Sequence, residues 1–213
     1  MHNSESSRTH RLTTCALAFA IYASQVGSAE AESTEKSESH DVTASAVIKR
    51  CDSQQPIGRA RLTERASEEG VKIVEVEIGI RTGLTEGKHA VHIHETGVCE
   101  PCSAAKGHFD PGPNSNTSPD GNHPFHAGDL VNIDITDMSG DVTDDDGNSL
   151  GSGRLQTLTT RVTLSDGPLS LFDADGSAFI IHVDPDSYCP GGEEAGCAGG
   201  ARAACGVIVK DDA

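Results

Sequence analysis

The chain has 213 residues, a net charge of −17 and only 3% aromatic residues. Such acidity argues against nucleic acid or an anionic membrane as a partner, since both would be repelled. The length fits one domain with extensions.

The first segment is not domain material. Arg8 and Arg11 precede the apolar run "LTTCALAFAIYA", followed by the small and polar residues of "SQVGSAEAES". This layout predicts a secretory signal peptide over residues 1–29, with Ala29 and Ala31 both suitable cleavage points. The run is too short, and too polar at its end, for a membrane span, and the mature form is expected to have no membrane partner. Residues 30–43, rich in Glu, Ser and Lys, read as a disordered linker, and the domain is expected over 44–213. Removing the leader takes away Arg8 and Arg11 against Glu5 alone, so the remainder is one unit more acidic.

Of seven cysteines, all but Cys15 follow the leader. An even number behind an export signal predicts disulfides rather than a thiolate metal site, and a periplasmic or extracellular location. "CEPC" (Cys99–Cys102) has the spacing of half a zinc motif, but no second half exists.

From Ala44 onward short alternating or β-branched runs recur between turn residues: "SAVIKR", "GRARLTER", "VKIVEVEIGI", "HAVHIHE", "DLVNIDITD", "LQTLTTRVTL", "SAFIIHV" and "CGVIV". None has a sustained helical period. The pattern predicts an all-β fold, a sandwich or flattened barrel of about eight antiparallel strands. Two long segments interrupt it, 95–128 and 184–204, and long connections inside a compact domain are commonly functional.

The run "KHAVHIHETG" places three of the ten histidines within six residues. On a strand, His92 and His94 share one face while His89 and Ile93 share the other. Neutral imidazoles in an i, i+2 pair can converge on copper or zinc. A bare pair of this kind is equally compatible with a polar solvent face, so the rest of the chain decides.

Four further features follow in order: "KGHFDP" with His108, "HAGDL" with His126 and Asp129, "IIH" with His182, and "GARAACGVI" with Arg202 and Cys205. Together with "HIHE" they resemble the Cu/Zn superoxide dismutase family, of the secreted bacterial type, over roughly residues 44–210. The resemblance implies a Greek-key β-barrel with two long functional loops. It also implies an exported enzyme that converts two superoxide anions to oxygen and hydrogen peroxide by Cu(II)/Cu(I) cycling, with zinc in a structural role. Copper would be held by His92, His94, His108 and His182, and His108 would also bridge to zinc and carry a proton during turnover. Arg202 would draw in and bind the superoxide anion, which a strongly acidic protein otherwise repels. Asp186 would link copper and zinc histidines through their outer nitrogens. "GGEE" (Gly191–Glu194) resembles the acidic stretch of the family's second loop. By the same resemblance Cys102 would pair with Cys205. Cys99 would then join Cys189 or Cys197, Cys51 taking the remaining partner, one of three pairings open to these four. The alternative function is a non-catalytic copper-binding or copper-delivery module on the same fold. Whether the protein is a monomer or a homodimer stays open.

The zinc loop departs from the family pattern. Midway between His108 and the HxGD motif, where a zinc histidine belongs, stand Asn116 and Thr117 in "PNSNTSPDG". Of the ten histidines, His2, His10 and His40 lie outside the domain, and five are already assigned. Only His89 and His123 remain, and His89 is on the wrong face of its strand. His123 is therefore the expected replacement, giving a zinc set of His108, His123, His126 and Asp129 with no open position. The competing expectation is an ordinary loop histidine at 123 beside a three-coordinate, water-completed or empty site.

Overall fold

The computed structural model describes residues 41–112, 123–136, 142–190 and 195–212. The leader, most of the linker, His2, His10 and His40, Asn116 and Thr117, and the Gly191–Glu194 stretch lie outside these residues.

The strands are β1 (Val42–Arg50), β2 (Pro56–Ala66), β3 (Lys72–Thr85), β4 (Gly87–His89), β5 (Val91–His94), β6 (Ile133–Thr136), β7 (Leu150–Thr159), β8 (Ala178–His182), β9 (Arg202–Val207) and β10 (Val209–Lys210). One 3-10 turn covers Cys102–Ala105. The eight predicted runs become ten strands because two of them break: "HAVHIHE" at Ala90 and "CGVIV" at Ile208. β1 also starts at Val42, inside the predicted linker. Val42 and Thr43 pair with Glu64 and Thr63 of β2, and those ladder bonds outweigh their polar surroundings.

All pairings between strands are antiparallel, in the order β4-β6-β7-β3-β2-β1-β9-β8-β5, with β10 on β1. The order begins with β4 and ends with β5, which are separated by Ala90 alone. One bent segment, 87–94, thus occupies both ends of the sheet and nearly closes it into a barrel. Connections β3–β4, β5–β6 and β7–β8 each return the chain beside a non-consecutive neighbour, in Greek-key fashion.

Period-two alternation supplies the core. Along β3, Val74, Val76 and Ile78 are fully buried, with the intervening glutamates outside. They meet Leu62 of β2, Ile48 of β1, Ile93 of β5 and Ile181 of β8 in one cluster, each such side chain contributing about 2 kcal/mol by leaving water.

The free edge of β5 is filled by the first long loop. Ile93 N–H donates to Gly128 O, Phe109 N–H to Ile93 O, and Gly128 N–H to Phe109 O, each at 2.8 Å. A β-carbon at Gly128 would lie 2.2 Å from Ile93 O, so only glycine lets this loop lie on the strand. The segments that carry His108 and Asp129 therefore act as staves of the barrel.

The disulfides differ from the expectation. Cys102 bonds Cys51, Cys99 bonds Cys205, and Cys189 bonds Cys197, with Cα separations of 5.7, 5.6 and 5.3 Å. Neither the Cys102–Cys205 pair nor a link from Cys99 to the second loop forms. The reason lies in the strand order: β1 pairs with β9, and Cys51 N–H donates to Ala203 O, so Cys51 and Cys205 both lie beneath the "CEPC" segment. Two cysteines three apart in sequence then face two acceptors on neighbouring strands, and spacing does not choose between the exchanges.

Candidate metal centre

β5 puts His92 and His94 on one face, and both are buried. β8 supplies His182 at its end, two strands from the first loop, which supplies His108; an isolated bridge sets His108 against His94. One ligand atom from each of His92, His94, His108 and His182 falls within 4.8 Å of the others.

The outer ring nitrogens determine what the inner ones present. His92 Nε2–H donates to Asp186 Oδ2 at 2.8 Å, His94 Nδ1–H to Lys106 O at 2.8 Å, and His182 Nδ1–H to Gly200 O at 2.9 Å. Each neutral ring then turns a lone pair inward: Nδ1 of His92, Nε2 of His94 and Nε2 of His182. His92 Nδ1 and His182 Nε2 stand 3.2 Å apart, two lone pairs facing each other with no proton between them. His94 Nε2 is buried without a hydrogen-bond partner. Such nitrogens fit a bound metal ion and little else.

Charge state agrees. Burial, then the charge of His108, pushes His94 down to about 2, and burial, then His92, pushes His182 down to about 4. Burial likewise lowers His92. All three are held as neutral imidazoles, the form that ligates.

A second set gathers around Asp129. His108 Nδ1 lies 2.6 Å from Asp129 Oδ1, and His123 Nδ1 and His126 Nδ1 lie 3.1 and 3.2 Å from Oδ2. Burial would raise the Asp129 carboxyl, but its bonds to His108, His123 and His126 hold it well below the carboxylate range. Three Nδ1 atoms and one carboxylate make a nitrogen/oxygen set suited to tetrahedral zinc. His123, the expected substitute for the missing mid-loop histidine, is buried, with Nδ1 toward Asp129 and Nε2 toward Asp186.

The two sets are joined twice. His92 and His108 each belong to both groups of mutually close ligand atoms, the second being His92, His108, His123 and Asp129, while His126 joins through Asp129 Oδ2 alone. The His92 and His108 ring centroids lie 4.1 Å apart. Asp186 Oδ2 also accepts from His92 Nε2 and His123 Nε2, each at 2.8 Å. A cavity of about 440 Å³ opens over His108, His123, His126 and His182, with Cys189 and Cys197 in its wall.

Arg202 opens β9 in register with His182. Its Nη1 donates to Cys102 O at 2.5 Å and its Nη2 to Lys106 O. Residue 202 is among those lining a second cavity, with Arg50, His89 and Leu84, and is not among those lining the cavity over the histidines. Its charge still reaches the cluster, being among the causes that lower His94 and His182.

Sequence reasoning missed three supports. His89, dismissed as facing the wrong way, lies 2.8 Å from both Thr85 O and His182 O, fixing the main chain of a candidate ligand. Asn132 grips the peptide of Asp186, accepting from its N–H at 2.8 Å and donating to its carbonyl at 3.0 Å. Arg161 donates to Asp129 O and, at 3.4 Å, to Pro124 O. Only His89 carried a signal, as a histidine on the inward face of an edge strand.

Comparison with known proteins agrees with this geometry. The family model for copper/zinc superoxide dismutase matches residues 57–208. Two Aquifex aeolicus proteins named superoxide dismutase [Cu-Zn] 2 and 1 are 40% identical over 157 residues and 43% identical over 124. The first alignment covers 71% of this chain and 78% of the relative, the second 56% and 63%. A Legionella pneumophila superoxide dismutase [Cu-Zn] is 36% identical over 129 residues, 60% of this chain and 65% of the relative. Among solved structures, a SOD-like protein from Bacillus subtilis shares the fold at a TM-score of 0.55 and 23% identity, covering 78% of this chain and 97% of that one. The clock protein EA4 aligns at a TM-score of 0.53 and 26% identity, covering 78% and 92%. On the span of the family match and the identity of these relatives, the chain belongs to the copper/zinc superoxide dismutase family.

Proposed function

We propose that this chain dismutes superoxide, holding copper with His92, His94, His108 and His182 and zinc with His108, His123, His126 and Asp129. The observation that carries the reading is His108, which offers a ligand atom within 4.8 Å of those of His92, His94 and His182 and one within 4.8 Å of those of His123 and Asp129. Copper bound there supplies a centre that alternates between Cu(II) and Cu(I), so that one superoxide is oxidised to oxygen and the next reduced to peroxide.

The chain's own residues supply the rest. Asp186 and the carbonyls of Lys106 and Gly200 hold three rings in the tautomers that face lone pairs inward. His108, whose Nδ1 lies against Asp129 Oδ1, would offer its other ring nitrogen to copper and, when that nitrogen is released, would exchange a proton there with the forming peroxide. Arg202 spends two of its five N–H groups on carbonyls, leaving donors and a full positive charge for a small anion. Three disulfides suit an exported protein in an oxidising compartment.

A second reading, copper holding or delivery without turnover, draws on the position of Arg202 beside the neighbouring cavity. Metal analysis with a dismutase assay on the copper-loaded chain separates the two. Stoichiometric copper with rapid superoxide loss supports the enzyme, and bound copper without activity supports the holder.

A further inference from the structure

The loop between β8 and β9 carries its own cross-link, Cys189–Cys197, eight residues apart in sequence. It lies in the wall of the cavity over the histidines, beside the residue that joins the two donor sets. Ser187 N–H and Oγ–H donate to Cys197 O at 2.9 and 3.1 Å. Asp186 forms a bridge with Ala198, the residue after Cys197. Tyr188 N–H donates to Asp186 Oδ1 at 2.6 Å.

The backbone at this point is unusual. Tyr188 and Cys189 both have positive φ, 61° and 44°, a conformation that residues bearing a β-carbon keep only when their surroundings over-determine it. Asn132 fixes the peptide of Asp186 but not the direction of its carboxylate. Besides His92 and His123 themselves, the group that turns it is the Tyr188 N–H, set by the path of the chain through 188 and 189, which the cystine closes.

We infer that the Cys189–Cys197 cystine is a positioning element of the metal centre, aiming the Asp186 carboxylate so that His92 and His123 are held by one group. This rests on reading the two histidine sets as metal sites. The bond orients the outer partner of one ligand in each set, so its loss acts on both metals while touching neither.

The test uses the full chain loaded with copper, and with cobalt(II) in place of zinc, against Cys189→Ser/Cys197→Ser. The cystine-free protein should show an altered copper paramagnetic resonance spectrum and a changed cobalt visible band. It should also lose cobalt to a chelator about tenfold faster or more, as expected when the outer hydrogen bond of a ligand is disturbed. Cys189→Gly/Cys197→Ala removes the same bond while suiting the left-handed backbone at 189, and should show the same changes even if the serine pair folds poorly. Crossing either pair with Asp186→Asn separates positioning from general bracing. If the cystine acts through Asp186, its loss has little further effect in that background. Full additivity in the cross, or unchanged spectra and release rates in both cystine-free pairs, would overturn the inference. A parent chain whose copper signal lacks nitrogen ligation would instead overturn the underlying reading, and the inference with it.

Discussion

His94 and Arg202 share one acceptor, the carbonyl oxygen of Lys106. The imidazole Nδ1–H donates to it at 2.8 Å and the guanidinium Nη2 donates beside it. Lys106 has φ 61° and ψ −139°, which turns this carbonyl inward, two residues before His108. A candidate copper ligand and the candidate anion-binding group are thus oriented by the same peptide.

Arg202 can accordingly be tested for two separable roles. Arg202→Lys keeps the charge but cannot fork across the Cys102 and Lys106 carbonyls, and should lower kcat/KM on the order of tenfold with copper retained. Arg202→Glu reverses the charge and should lower it on the order of a hundredfold or more. The parent's rate should fall as salt rises, because screening weakens attraction between unlike charges. Stopped-flow superoxide decay measures all three, and an unaltered rate in Arg202→Glu would remove this residue from the mechanism.

Away from the metal centre, Glu64 makes a buried anchor. Its Oε2 accepts from Leu164 N–H at 2.5 Å and Ser165 N–H at 3.0 Å, and its Oε1 from Ser165 Oγ–H at 2.6 Å. Burial alone would raise its pKa, but these donors and the Lys72 ammonium outweigh burial and hold it below the ordinary value. The stability it contributes is present above the unfolded pKa of about 4.3 and lost as pH falls through the lower folded value. Glu64→Ala, which leaves the Leu164 and Ser165 N–H groups unpaired, should cost about 3 kcal/mol near neutral pH. Urea titrations should show this difference shrinking toward pH 3, and a pH-independent difference would refute the account.

What the sequence disclosed follows the range of each interaction. His92 and His94 are legible because strand alternation is local, and β3 because its valines and glutamates alternate without a break. His123 is singled out only by exclusion, since the neighbouring "HAGDL" motif begins at His126 and does not include it. The disulfide exchange between Cys51 and Cys205 was not legible, because it depends on the β1–β9 register across most of the chain. Asn132 and Arg161 act on the main chain of residues far away in sequence, and such bonds leave no periodic trace.

The three cystines should appear as three linked peptide pairs in non-reducing maps: 51 with 102, 99 with 205, and 189 with 197. Closing loops with sequence separations of 51, 106 and 8 restricts the unfolded chain unequally, by about 4, 5 and 2.5 kcal/mol in the chain-entropy model. Serine pairs at each site should rank in that order in urea denaturation, with Cys189–Cys197 the least costly. A peptide joining Cys102 to Cys205 would restore the expectation drawn from the family resemblance.

The last test falls on His123, which lies between Asp129 and Asp186. Burial would lower its pKa, yet its bonds to both carboxylates prevail and raise it to about 9. In the metal-free chain at neutral pH it is therefore an imidazolium, held between the two carboxylates. The stability from this contact is fully present below the ordinary pKa of about 6.5 and is lost as pH rises through about 9. The melting temperature of metal-free protein should fall across that window, and zinc-loaded protein, which carries no proton on Nδ1, should not follow it. Zinc binding at neutral pH must also displace that proton, so calorimetric titrations in two buffers of different ionisation enthalpy should differ. His123→Ala should reduce both the proton release and the zinc occupancy, while copper uptake survives through His92, His94, His108 and His182. Full zinc retention in this variant, or a zinc-edge anomalous map with no density beside the His123 ring, would return the loop to an ordinary histidine and leave zinc with three protein ligands.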